Sequence, residues 1–180
     1  FIDLGGGMGI SYSQKGKKLN INLYAKLVEK FAKNKKSKII FEPGRFIAGN
    51  TSILISKIIY IKKNNNKTFI ILDAGMNDLM RPALYNAHHE IIPVKKNKKK
   101  IIGKVEFVGP ICESTDKFLT QKNFSRVNEG DYIAITNVGA YGMSLASNYN
   151  TRPIISEIMV SGSKYKMIKK RQSLKKLINN

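Results

Sequence analysis

Phe1-Ile2-Asp3-Leu4-Gly5-Gly6-Gly7-Met8-Gly9 opens the chain, and Lys38-Ile39-Ile40-Phe41-Glu42-Pro43-Gly44-Arg45 follows a short distance on. Between them, residues 20–32 place Ile21, Leu23, Tyr24, Leu27, Val28 and Phe31 at helical spacing, with Lys26, Glu29 and Lys30 off that stripe. An apolar run ending in glycines, an amphipathic helix and a second apolar run make one strand–helix–strand unit, which implies parallel pairing. Two such strands need cover on both faces, and with one helix they bury too little to fold alone. Residues 1–47 are therefore expected to belong to a larger α/β unit that begins before Phe1. A first residue that is not Met, leading into a strand with no basic flank, is not the pattern of a signal peptide.

Beyond about residue 48 the pattern changes. Residues 51–61 are long and β-branched, Asn64-Asn65-Asn66 reads as a turn, and residues 68–72 read as a returning strand, so a hairpin is expected. Further strands are expected at 90–94, 101–108, 132–136, 157–160 and 165–168, the last two joined across Ser161-Gly162-Ser163. Short helices fit 78–85 and 172–177. Residues 48–180 thus predict an antiparallel β-domain, a barrel or sandwich. No internal repeat is evident.

The 180 residues are 42% hydrophobic and 24% charged, a globular composition. No apolar run approaches the roughly 20 residues of a membrane-spanning helix, so no membrane role is expected. A single cysteine, Cys112, excludes an internal disulfide and fits a reducing compartment. The net charge of +20 suggests nucleic acid at first sight. Yet 27 of the 32 basic residues are Lys, and Lys, Asn and Ile together make up 69 residues, spread through every segment. The lysines cluster at 15–18, 33–38, 62–67, 95–100 and 164–176, where solvent is expected. Base reading and phosphate forking lean on Arg and stacking aromatics. The charge is read as a solvated face, and no nucleic-acid partner is expected.

Five clusters carry candidate chemistry. The loop Gly5-Gly6-Gly7-Met8-Gly9 follows a strand, and its bare backbone N–H groups suit an anion cradle or, equally, a tight turn. Glu42-Pro43-Gly44-Arg45 ends the next parallel strand, the edge where α/β enzymes place their sites. It offers a carboxylate, a backbone N–H pointing outward and a guanidinium, which fits a carboxylate or phosphate. Asp73-Ala74-Gly75-Met76-Asn77-Asp78-Leu79-Met80-Arg81-Pro82-Ala83-Leu84-Tyr85 sets Arg81 and Tyr85 four apart, on one face of a helix. Gly109-Pro110-Ile111-Cys112-Glu113-Ser114-Thr115-Asp116 gathers the thiol with two carboxylates, and Gly139-Ala140-Tyr141-Gly142 frames a phenol with glycines. His88-His89 lacks the spaced partners of a metal site and reads as a structural pair. No metal constellation is found.

Taken in order, GGG, EPGR, DAGMNDLMRPALY, GPxCESxD and GAYGMSLASNYNxRP resemble the diaminopimelate decarboxylases over essentially the whole chain. These are pyridoxal-phosphate enzymes with an alanine-racemase-like barrel followed by a β-domain. The resemblance implies that residues 1–47 are the last two strands of a TIM-like (β/α)8 barrel and residues 48–180 the C-terminal β-domain. It implies that Gly5, Gly6 and Gly7 hold the phosphate of pyridoxal 5'-phosphate, helped by Gly44, Arg45 and Tyr141, and that Glu42 pairs with the pyridine nitrogen. Arg45, Arg81, Tyr85, Glu113 and Tyr141 match substrate-binding positions, and Cys112 matches the proton donor.

In the family the Cys–Glu loop enters the site from a partner subunit, so a homodimer is implied, acting in the cytoplasm on meso-2,6-diaminopimelate to make lysine. Arg45 and Arg81 suit the substrate's distal carboxylate and Glu113 its distal ammonium. Related ornithine and arginine decarboxylases carry Asp after the Cys and lack RPALY. Those, a carboxynorspermidine decarboxylase and a non-catalytic fragment are the alternatives. Where the family often has a second Arg-Pro after Arg152-Pro153, Ile154-Ile155 stands here. The family's Schiff-base Lys lies early in the barrel, and none of the 27 lysines sits in its motif, so these 180 residues alone are expected to be inactive.

Overall fold

The computed structural model describes residues 1–13, 16–101 and 103–179. Lys15, in the lysine cluster 15–18, and Ile102, in the strand expected at 101–108, lie outside the described residues. The chain begins with β1 (Ile2–Asp3), α1 (Ile21–Ala32), β2 (Ile39–Ile40) and α2 (Gly44–Ala48). β1 and β2 pair in parallel, Ile2 opposite Ile39 and Asp3 opposite Ile40, as the crossover helix requires. Asn20 starts α1 by accepting a hydrogen bond from Leu23 N (3.0 Å) on its side chain. Of the apolar stripe on α1, only Tyr24 and Val28 are half-buried; Ile21, Leu23, Leu27 and Phe31 are exposed. Of the stripe, Ile21, Tyr24 and Val28 line an apolar hollow of about 530 Å³ together with Met8, Phe41, Phe46 and Ile47.

The rest is built on one six-stranded sheet. β3 (Leu54–Asn64), β4 (Lys67–Leu72), β5 (Ile91–Pro93), β6 (Lys104–Val108), β7 (Lys117–Lys122) and β8 (Tyr132–Ile135) lie in the order β5-β8-β3-β4-β6-β7. β3 and β4 form the expected hairpin, turned by Asn65 in the left-handed region at φ 47°. Residues 54–57 of β3 pair with β8, while its residues from Ile58 onward pair with β4. An irregularity between Ile58 and Tyr60 shifts the register there. The inward alternation Leu54, Ser56, Ile58 therefore resumes at Ile61 rather than Tyr60, as a one-residue slip dictates.

Two expectations need correction. The sheet is mostly rather than wholly antiparallel, because β4 pairs in parallel with β6. The connection between them carries α3 (Arg81–Tyr85) and β5, long enough for a crossover. Nor does it close on itself: the sheet is a curled half-barrel, and β5 and β7 are its two edges among the described residues. The core beneath it holds Ile58, Ile70, Leu72, Phe107, Ile133 and Ile135, none measurably exposed. Phe107 and Phe124 meet edge to face at 4.9 Å.

Glu106, nearly buried, lies 3.2 Å from Lys117 Nζ, 3.5 Å from Lys67 Nζ and 4.0 Å from Lys104 Nζ. Burial alone would raise its pKa, but the Lys117 and Lys67 contacts win and hold it below the usual carboxylate range. β9 (Glu157–Ser161) and β10 (Lys164–Lys169) make a separate hairpin turned at Gly162, and α4 (Leu174–Ile178) closes the chain.

Candidate active site

β1 delivers Asp3 to the start of the glycine loop, where its carboxylate accepts a hydrogen bond from Gly5 N (2.8 Å) and fixes the turn. Gly5 and Gly7 sit at φ +66° and +74°, a backbone that other residues rarely adopt. Gly6 is required for a different reason: a Cβ there would lie 2.6 Å from the Glu42 carbonyl oxygen. Glu42 N donates to Gly5 O (2.8 Å) and Gly44 N to Glu42 O (2.8 Å), so the GGG and EPGR clusters form one rigid corner. The space above Gly5, Gly7 and Gly44 is open, and the Glu42 and Arg45 side chains are exposed.

The Gly139-Ala140-Tyr141 loop rests on the end of α2. Gly139 N donates to Gly49 O (3.1 Å), and a Cβ at Gly139 would overlap the Ala48 carbonyl. Tyr141 follows at φ +61°, half-exposed, its ring 5.9 Å from the Arg81 guanidinium. Arg81 begins α3 and is only 6% exposed. Its Nη1 donates to the Tyr12 hydroxyl (2.7 Å) and to His89 Nε2 (3.2 Å), and the Tyr12 ring stands 5.2 Å from the guanidinium carbon. Nη1 can only donate, so Nε2 accepts; His89 Nδ1 then donates to the Thr136 carbonyl (3.0 Å). Burial pushes the His89 pKa down, the Arg81 charge adds to that, and the Thr136 bond opposes it. His89 is thus a neutral imidazole with its proton on Nδ1.

Two sequence expectations look different here. His88 is exposed and His89 buried, so the two do not act as a pair. Tyr85 is 64% exposed, and the phenols that meet Arg81 are Tyr12 and Tyr141.

The thiol loop is held from beneath by Asp116. Its Oδ1 accepts from Met76 N (2.7 Å) and its Oδ2 from Ile111 N (2.8 Å), tying the Cys112 loop to the segment that leads into α3. A Cβ at Gly109 would overlap that carboxylate. Burial raises the Asp116 pKa, against the pull of the Ile111 and Met76 bonds. Cys112 and Glu113 are exposed, and Ser114 Oγ donates to Glu113 Oε1 (3.2 Å). Hydrogen bonds from Thr115 N and Ser114 Oγ hold the Glu113 carboxyl below its usual range. The hydrogen bonds of Glu113 stay within its own loop, to Ile111, Ser114 and Asp116. The structure thus joins Gly5–Gly7 with Glu42 and Gly44, sets Arg81 against Tyr141 and against Tyr12 just past the glycine loop, and ties the thiol loop through Asp116 to the segment before α3.

Behind both lies a polar lattice that local patterns do not announce. Arg152 Nε donates to Asn77 Oδ1 (3.0 Å), its Nη2 donates to the Asp73 carbonyl, and it lies 3.7 Å from Asp78 Oδ2. Asp78 accepts from Gly75 N (2.9 Å), capping the turn before α3 rather than α3 itself, which has no side-chain cap. Among the described residues no group of three or more His, Cys, Asp or Glu could hold a metal ion, and no helix is long and apolar enough to cross a membrane.

Residues 12–139 match the family model of pyridoxal-dependent decarboxylases, C-terminal sheet domain. The chain belongs to that family. It is 44% identical over 174 residues to the diaminopimelate decarboxylase of Aquifex aeolicus, covering 96% of this chain and 41% of that protein. To the Zymomonas mobilis diaminopimelate decarboxylase it is 41% identical over 179 residues, 99% of this chain and 42% of that protein. The chain thus spans about two-fifths of the length of these relatives. The crystal structure of diaminopimelate decarboxylase from Helicobacter pylori complexed with L-lysine superposes with a TM-score of 0.89 at 40% identity, over 98% of this chain and 43% of that one. A lysine/ornithine decarboxylase from Vibrio vulnificus, 20% identical with a TM-score of 0.70, shares the fold.

The cofactor that the family's name implies fits the residues present. A corner that tolerates only glycine at Gly6, with open space above Gly5, Gly7 and Gly44, leaves the Gly6 and Gly7 N–H groups to approach a phosphate, those of Gly5 and Gly44 being bonded to Asp3 and to the Glu42 carbonyl. Glu42, on the same corner, is an exposed carboxylate suited to a pyridinium nitrogen.

Proposed function

We infer that the chain is the C-terminal part of an enzyme that decarboxylates meso-2,6-diaminopimelate to L-lysine with pyridoxal phosphate, the step that completes a lysine biosynthesis. Residues 1–47 are read as the end of the cofactor-binding (β/α)8 barrel and residues 48–180 as the β-domain that brings substrate-binding and proton-donor loops. Gly5, Gly6 and Gly7 take the cofactor phosphate with Gly44, Arg45 and Tyr141, and Glu42 keeps the pyridine nitrogen protonated. Bound pyridoxal phosphate supplies the sink for the electron pair left when carbon dioxide departs. The chain's own residues do the rest. Arg45 and Arg81 hold the distal carboxylate, with Tyr141 beside Arg81, and Tyr85, exposed on α3, is a further substrate contact. Glu113, held ionised, pairs with the distal ammonium, and Cys112 gives its thiol proton to the α-carbon in place of the lost carboxylate.

The observation that carries this assignment is the shared corner of GGG and EPGR, with the Tyr141 loop resting on the end of the helix that starts there and Tyr141 facing a buried Arg81. Cys112 and Glu113 are exposed, and among the described residues neither side chain bonds outside its own loop, which supports a homodimer in which they reach the partner's site. A reducing cytoplasm suits that exposed thiol.

The test is to load the full-length protein with pyridoxal phosphate and offer meso-diaminopimelate, ornithine and arginine separately. Lysine and carbon dioxide from diaminopimelate alone are expected, and Glu113→Gln should abolish that turnover selectively. Faster carbon dioxide release from ornithine or arginine would contradict the substrate assignment.

A further inference from the structure

We propose that Tyr12 and His89 are positioning residues that present one chosen edge of Arg81 to a substrate carboxylate. The proposal rests on the assignment of Arg81 to the distal carboxylate and deepens it. A guanidinium has two edges on which a carboxylate can sit with two parallel hydrogen bonds: Nη1 with Nη2, or Nε with Nη2. In this protein Nη1 spends its two hydrogens on the Tyr12 hydroxyl (2.7 Å) and His89 Nε2 (3.2 Å). Among the described residues Nε and Nη2 have no hydrogen-bond partner, and no fully buried side-chain polar atom lacks one, so neither atom is wholly sealed from solvent. The Nε–Nη2 edge is the one left for a ligand.

The three residues come from three separate places. Tyr12 lies just past the glycine loop, Arg81 heads α3 and His89 precedes β5. His89 is itself anchored by Thr136 at the end of β8 (3.0 Å), and its ring meets the Tyr12 ring edge to face at 5.1 Å. The imidazole therefore cannot swing away without breaking a bond to the sheet. Arg81 is braced on one side by the segment that follows the proposed phosphate cradle and on the other by the β-sheet. A charged side chain 6% exposed in such a clamp loses little freedom when it takes up a carboxylate.

Calorimetric titration of the full-length, pyridoxal-phosphate-loaded enzyme tests this with two probes. L-lysine carries one carboxylate; cadaverine is the same diamine without it. The unaltered enzyme should favour lysine. Tyr12→Phe and His89→Leu should each cut that preference about tenfold, the equivalent of one charge-assisted hydrogen bond, while leaving cadaverine affinity unchanged. His89→Gln, whose Oε1 can accept from Nη1, should restore most of it. Tyr12→Phe keeps the ring contact with His89 and so remains informative if His89→Leu does not fold. An unchanged lysine preference in the variants overturns the proposal, as does an equal loss for both probes, which marks general damage. If the unaltered enzyme itself fails to prefer lysine, the assignment of Arg81 to a carboxylate fails, and the proposal falls with it.

Discussion

Replacing Asp116 with Ala should loosen the thiol loop and destabilise the protein by about 2–4 kcal/mol. Asp116 is 3% exposed, and its two oxygens accept the backbone N–H groups of Met76 (2.7 Å) and Ile111 (2.8 Å). Alanine strands both donors where little water reaches, at about 1–3 kcal/mol each. Part of that is offset, because burial already raises the Asp116 pKa and removing the carboxylate relieves its desolvation. Asp116→Asn retains one acceptor oxygen and should cost about half as much. Urea unfolding measures the global loss. Amide exchange at Met76 and Ile111, with the alkylation rate of Cys112, reports the loop itself, and all three should quicken in Asp116→Ala. A variant within about 0.5 kcal/mol of the parent, with unaltered exchange at both amides, would refute the role of Asp116 as the tether.

Two further outcomes follow from the same geometry. His89 has a folded-state pKa below its unfolded value, so the stability it contributes is complete above about pH 6.5 and drains as pH falls toward the folded value. Thermal unfolding of the parent should therefore weaken between neutral and mildly acid pH, and His89→Gln should flatten that slope. Gly6→Ala forces its new Cβ to within 2.6 Å of the Glu42 carbonyl, so the corner must open. In the full-length protein this should show as a marked loss of pyridoxal phosphate affinity by absorbance titration, with a smaller loss in Gly9→Ala, where a Cβ meets open space.

Elements with strong local signatures were legible in the sequence. The helical stripe of residues 20–32 matches α1, and the Asn-rich turn and its flanking β-branched runs match the β3–β4 hairpin. β7 was missed, because an edge strand reading Lys-Phe-Leu-Thr-Gln-Lys buries only Phe118 fully and shows no clear alternation. The parallel pairing of β4 with β6 was illegible too, since register between distant strands is set by the whole core and not by either strand.

The site divides along the same line. The glycine corner and the Arg81 helix stand out as motifs. The phenol that meets Arg81 most closely, Tyr12, lies 69 residues away in a loop of no periodicity, while Tyr85, correctly spaced on α3, points to solvent. Asp116 was visible as one of two carboxylates beside the thiol, but its burial under Gly109 was not. Asn77, Asp78 and Arg152 form a lattice that only the tertiary structure assembles.

The most direct measurement is a crystal structure of the full-length protein with pyridoxal phosphate and L-lysine bound. The account predicts the phosphate over Gly5, Gly6 and Gly7, Glu42 on the pyridine nitrogen, the lysine carboxylate on Arg81 Nε and Nη2, and the partner subunit's Cys112 and Glu113 entering the same site. A lysine carboxylate paired away from both arginines, with the thiol loop facing an unrelated surface, would contradict it.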